Sequence, residues 1–118
     1  HKNIEWIRMD LEERQLISLS VQFTWAIAFE VIEHLKSPTD FLTGINADRL
    51  LCSVPNEAVM PFDVKRHSYH HRHYTKREFG DLLEDSGWTV EVWYTQRGKL
   101  SPVMRGDDGM TLIAECRR

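Results

Sequence analysis

"FTWAIAFEVIEHLKSPTDFL", Phe23 to Leu42, is the stretch whose reading decides the fold. Its first seven residues are an almost unbroken apolar run, which suits a strand covered on both faces, as in a parallel sheet. Glu30 ends the run, and Val31 to Leu35 read as a short helical turn leaving the carboxyl end of the strand. Ser37-Pro38-Thr39-Asp40 then starts a helix: serine caps, proline tolerates the first turn and aspartate favours the positive end. Phe41, Leu42 and Ile45 give that helix an apolar face.

Outward from there, "IEWIRMD" (Ile4 to Asp10) reads as a strand ending at Asp10, and "RLLCSV" (Arg49 to Val54) as a strand stopped by Pro55-Asn56. Thr75-Lys76-Arg77-Glu78 is a capping box opening a helix with Phe79, Leu82 and Leu83 inward, and Gly87 ends it in the left-handed conformation. "WTVEVWY" (Trp88 to Tyr94) alternates as a strand does. Residues 95–109 read as a loop, and "MTLIAEC" (Met110 to Cys116) as a last strand pairing antiparallel with its predecessor. The order predicts an α/β fold with a mostly parallel sheet and an antiparallel last strand. Right-handed crossovers place Asp10, Glu30 and Pro55-Asn56 at one carboxyl edge, where open α/β sheets bind ligands.

A chain of 118 residues is one small domain, and 42% hydrophobic with 28% charged residues is ordinary for a globular protein. A net charge of -3 excludes a molecule that binds nucleic acid by its overall field, so any basic site is local. No apolar run nears the roughly 18 residues of a membrane span, and the first residues do not read as a signal peptide. Cys52 and Cys116 lie in apolar strands without CxxC spacing, which predicts buried free thiols in a reducing, cytoplasmic setting.

Two stretches carry chemistry. Glu30, Glu33 and His34 are spaced to share one face of a turn, and carboxylates with imidazole suit Mg, Mn or Fe. The long polar connection over residues 55–74 then brings His67, His70, His71 and His73. Lys65, Arg66, Arg72, Tyr69 and Tyr74 interleave with them, a mixture that either grips phosphates and bases or forms a polar lid.

In their order, "RMDLEE", "WAIAFEVIEHLKSPTDFL", "RLLCSVPNE" and "RHYTKREFGDLLEDSGWTVEVW" resemble the C-terminal two-thirds of a class I S-adenosylmethionine-dependent methyltransferase. The resemblance implies a partial Rossmann-like methyltransferase sheet, with residues 1–118 as a single domain lacking the first β-α-β portion. The family's glycine-rich cofactor turn is absent, since the first sixteen residues hold no glycine. Residue by residue, it implies that Asp10 accepts from the adenine amino group and that the Leu11 backbone reaches the ring. Phe29, Glu30 and Val31 would lie beside the methionine and sulfonium of S-adenosylmethionine, where an acid favours the cation.

The implied reaction is methyl transfer to a hydroxyl, or another small nucleophile, of a small-molecule or saccharide-like acceptor. His34 and His70 are the general-base candidates, because histidine titrates near neutrality. This reading holds no metal and no membrane partner. "ExxEH" also resembles the small-RNA 3′-terminal ribose 2′-O-methyltransferases. That alternative makes RNA the partner and Glu30, Glu33, His34 and His70 the ligands of a divalent metal. A third reading is a non-catalytic binding module that keeps the fold.

Overall fold

The computed structural model describes residues 3–12 and 22–118. Its strands are β1 (Phe23–Phe29), β2 (Ala47–Pro55), β3 (Thr89–Gln96), β4 (Val103–Arg105) and β5 (Thr111–Arg117). The helices are α1 (Pro38–Gly44) and α2 (Lys76–Asp85), and a single 3-10 turn covers Ile32–His34. The strands form one sheet in the order β1-β2-β5-β3-β4. β1 and β2 are parallel, whereas β5 runs antiparallel to both β2 and β3. β1, β2 and β3 therefore share a direction, and β5 is slotted between two of them. The expected α/β sheet is present, although most neighbouring ladders in it are antiparallel because of that insertion.

Side chains alternate across a sheet, so Leu50, Cys52 and Val54 of β2 and Leu112, Ala114 and Cys116 of β5 share one face. All six are buried, and they form one core with Leu42 of α1, Phe79 and Leu83 of α2, and Trp88. Burying each large side chain contributes roughly 1.5–3 kcal/mol. The Trp88 indole N–H donates to the Leu42 carbonyl at 3.0 Å, which satisfies the ring's one polar atom inside the core. Cys52 and Cys116 are free and buried, and hydrogen bonding to Cys116 together with burial holds the Cys52 thiol well above its ordinary range.

Local sequence explains the helix ends. Thr75 Oγ1 accepts from the Glu78 N–H at 3.2 Å while Glu78 Oε1 accepts from the Thr75 N–H at 2.9 Å, the reciprocal capping box. The bond from the Thr75 backbone leads the causes that lower the Glu78 pKa, helped by Arg72 at 2.7 Å. Gly87 adopts φ 91, which only glycine takes at little cost. Ser37 does precede α1, but its side chain makes no capping bond. The Glu12 carboxylate instead accepts from the Lys36 N–H at 2.8 Å and the Ser37 N–H at 3.4 Å, tying the first segment to the approach to α1.

Four expectations are corrected. Ile4 to Asp10 is not a strand: among the described residues nothing pairs with it, and Trp6 is 85% exposed. Among the described residues β1 is covered on one face only, leaving Phe23, Trp25, Ile27 and Phe29 about half exposed, because both helices pack on the other side. Asp10 consequently ends no strand at the carboxyl edge. Inside the expected loop, Val103–Arg105 forms β4 and pairs antiparallel with β3.

Phe79 is fully buried, and truncation there leaves a cavity among Tyr74, Leu83 and Trp93. Phe79→Ala is expected to cost about 3–5 kcal/mol. Urea unfolding checks this as a lowered midpoint with an unchanged slope.

Candidate functional site

The β1–β2 register places Phe29 opposite Ser53, so both strands end at the same edge. There Glu30 adopts φ 54, a left-handed conformation that costs a non-glycine residue about 1–2 kcal/mol. Its N–H donates to Ser53 Oγ at 3.0 Å, which holds the reversal in place. The 3-10 turn follows, closed by the His34 N–H to the Val31 carbonyl at 3.0 Å and the Leu35 N–H to the Ile32 carbonyl at 3.1 Å. Ile32 and Leu35 are buried and anchor this turn, and Glu33 between them is only 1% exposed.

Burial is the leading reason that the Glu33 carboxyl is pushed up to about 8, with the neighbouring Glu30 carboxyl adding to the rise. Glu33 Oε1 has no hydrogen-bond partner, and Oε2 lies 3.9 Å from His34 Nε2. A buried carboxylate oxygen left unbonded is costly, so this atom needs a proton or a cation.

The connection after β2 folds back over this turn. Tyr74 forms a parallel bridge with Asn56, and the His71 N–H donates to the Glu33 carbonyl at 2.7 Å. His34 Nδ1 lies 2.9 Å from the Tyr69 carbonyl. A carbonyl only accepts, so His34 carries a proton on Nδ1, which leaves Nε2 as the atom able to offer a lone pair. His70 Nδ1 lies 2.7 Å from His73 Nε2, and the His34 and His70 rings meet edge to face at 4.6 Å. Burial first, then the nearby His34, His73 and His67, lower the His70 pKa to about 4. At pH 7 it is neutral, a good ligand and a weak base.

Donor atoms of Glu33, His34 and His70 all lie within 4.8 Å of one another. Ligand atoms sharing one divalent ion at about 2.1 Å are up to about 4 Å apart, so a small closure would let these three hold it. One carboxylate with an unbonded oxygen beside two imidazoles is a donor set that fits a divalent cation.

Of the residues predicted from sequence, Glu33, His34 and His70 are thus brought together, with the Glu30 carboxyl beside Glu33. Phe29 is half exposed at the end of β1, and Val31 is half buried against the core. Phe29, Glu30, Ser53, Thr111 and Ile113 line a cavity of about 260 Å³. Asp10 is exposed and accepts from the Glu12 N–H at 2.9 Å, while Leu11 packs on the core. His73 was legible only as part of a histidine run, expected in a polar lid, yet it is buried. No spacing rule singles it out, because residues 70–73 form no helix or strand.

No protein-family profile and no curated protein matches this sequence. Solved structures do. An S-adenosylmethionine-dependent methyltransferase from Thermotoga maritima superposes with TM-score 0.68 at 13% identity, over 86% of this chain and 59% of that one. The methyltransferase domain of bacterial CtHen1-C gives TM-score 0.65 at 22% identity, over 98% of this chain and 62% of that one. The small RNA methyltransferase HEN1 gives TM-score 0.60 at 19% identity, over 81% of this chain and 14% of that one. The chain has a class I S-adenosylmethionine-dependent methyltransferase fold. It spans less than two thirds of the length of each of these methyltransferases. In the methyltransferase fold seen here, the Glu33 cluster stands at the edge where β1 and β2 end.

The raised Glu33 pKa has a stability consequence. The folded state keeps the proton to about 8, whereas an unfolded carboxyl releases it near 4.5. Metal-free protein in chelator should therefore lose stability as pH rises between those values, at up to about 1.4 kcal/mol per pH unit. Glu33→Gln should flatten that part of the profile, which denaturant melts of the two proteins across the pH range will measure.

Proposed function

We propose that this chain carries S-adenosylmethionine-dependent methyl transfer to a hydroxyl, and that Glu33, His34 and His70 hold a divalent cation at the acceptor side. The observation supporting this most directly is the buried Glu33 carboxylate, with one unbonded oxygen, set beside the imidazoles of His34 and His70. When bound, the cation would lower the pKa of a coordinated hydroxyl. His70 alone is a weak base at neutral pH, and so the metal-assisted reading is preferred over the metal-free one.

The chain's own groups then have distinct tasks. Methyl transfer is an in-line displacement at a carbon already activated by the sulfonium, and alignment and exclusion of water do most of the work. Phe29, Glu30 and Val31, at the strand end, are proposed to flank the methionine and sulfonium. The Glu30 carboxylate would favour that positive charge. Asp10 and Leu11 are proposed for the adenine, on the resemblance of "RMDLEE" to the family.

A ribose with adjacent hydroxyls is the acceptor that best suits a cation held by one carboxylate and two imidazoles. The connection beside the site exposes Lys65, Arg66 and His71, with Tyr69 84% exposed, a basic and aromatic surface suited to an RNA end. The similarity to the small RNA methyltransferase HEN1 supports the same reading.

Titration calorimetry of the full chain with S-adenosylhomocysteine should give measurable heat; none from folded protein would favour a non-catalytic module. Transfer of a labelled methyl group to an RNA ending in a ribose, but not to one ending in a 2′-deoxyribose, is the expected activity. Glu33→Ala and His70→Ala should each lower that transfer by at least about 100-fold, an effect of some 2.7 kcal/mol. Bound metal should fall in parallel, with cofactor affinity retained. Unchanged metal content in both variants would remove the cation from the reading.

A further inference from the structure

We propose that His73 is a positioning residue: it fixes His70 as the Nδ1–H tautomer and so leaves the Nε2 lone pair for a cation held beside Glu33. The inference rests on the cation reading above and concerns how the chain presets that site.

Both ring nitrogens of His73 are engaged, and the residue is 2% exposed. Nδ1 lies 2.7 Å from the Met60 carbonyl oxygen, which can only accept, so Nδ1 bears the proton. In a neutral ring Nε2 is then an acceptor. It faces His70 Nδ1 at 2.7 Å, and His70 must donate. The one nitrogen of His70 left with a lone pair is Nε2, the atom a cation requires. Reversing the chain would set two acceptors against each other at the Met60 carbonyl, so the direction is determined by a backbone oxygen that cannot change its role.

That oxygen is itself held. The Met60 N–H donates to the Asn56 carbonyl at 2.7 Å, and Asn56 Nδ2 donates to the carbonyls of Asp107 at 3.1 Å and Gly109 at 2.9 Å. Phe62 meets the His73 ring edge to face at 5.5 Å and His67 lies against it at 4.4 Å, which restricts its rotation. The relay thus runs from His70 to a turn anchored at the end of β2. Because it ends on a carbonyl, it offers no onward path for a proton, and its task is orientation rather than proton transport. An imidazole whose second nitrogen donates to a fixed acceptor is the usual outer support of a metal ligand, and losing that support typically lowers metal affinity 10–100-fold.

The test compares the wild-type chain with His73→Phe, which fills the space but offers no polar atom, and His73→Gln, whose amide can accept from His70 and donate to Met60. Nitrogen-15 NMR of metal-free protein at pH 7 should show His70 protonated at Nδ1 in the wild type and in His73→Gln, and not fixed there in His73→Phe. Titration with Co²⁺ alone, followed by visible absorption, should show His73→Phe weakened about 10–100-fold and His73→Gln within about 3-fold of wild type. Circular dichroism checks that each variant is folded. If His73→Phe fails to fold, the wild-type tautomer and the His73→Gln affinity still decide. A wild-type His70 protonated at Nε2, or Co²⁺ affinity unchanged in a folded His73→Phe, overturns the assignment. A wild-type chain that binds no Co²⁺ overturns the cation reading instead, and the NMR tautomer then judges His73 by itself.

Discussion

In the β1–β2 ladder Phe29 sits opposite Ser53, and because the two strands are parallel they finish at the same edge. Everything at the site depends on that register. The turn leaving β1 and the connection leaving β2 must start side by side, and Ser53 reaches across to hold the N–H of Glu30. A slip of one residue would turn Ser53 to the other face of the sheet and leave the left-handed Glu30 without its restraint. The core specifies the register: Leu50, Cys52 and Val54 can be buried together on the helix-covered face only in this alignment.

That rigid edge supports local arrangements a free peptide would not adopt. Glu30 occupies a conformation disfavoured for its residue type, and Glu33 is pressed into the protein with one oxygen unsatisfied. Neither is stable by itself. Buried Ile32 and Leu35 hold the turn down on either side of Glu33, and the returning connection closes over it through the His71 N–H. Strain and unpaired polarity of this kind persist only where the surrounding structure over-determines them. The histidines serve this edge unequally. His34 and His70 lie beside Glu33, His73 contacts His70 through a ring nitrogen, and His67 stacks parallel on His70 at 5.3 Å with its Nδ1 accepting from the Asp63 N–H.

Much of the fold was legible in local patterns. The apolar run Phe23–Phe29, the alternating strand after Trp88 and the Thr75–Glu78 box each contain their own instructions, because strand burial and helix capping depend on residues close in sequence. Ile4 to Asp10 misled for the complementary reason. Its composition suits a strand, but a strand exists only with a ladder partner, and none is present among the described residues. The half-exposed face of β1 and the short β4 were hidden in the same way, since coverage and pairing are properties of the neighbours.

For the site, sequence by itself determined the chemical types and their local grouping: two acids and a histidine on one turn, four histidines in one connection, and an order of elements similar to class I methyltransferases. It also placed Glu33 and His34 in one turn, since that spacing is short-range geometry. Only the tertiary structure decided which histidine joins them and which is buried behind it. His70 and His73 are separated from Glu33 by α1, β2 and most of the connection, so their meeting is settled by sheet register and loop closure. The protonation pattern was decided there too, because the position of a proton on an imidazole is set by what faces its other nitrogen, and here that is the carbonyl of Met60.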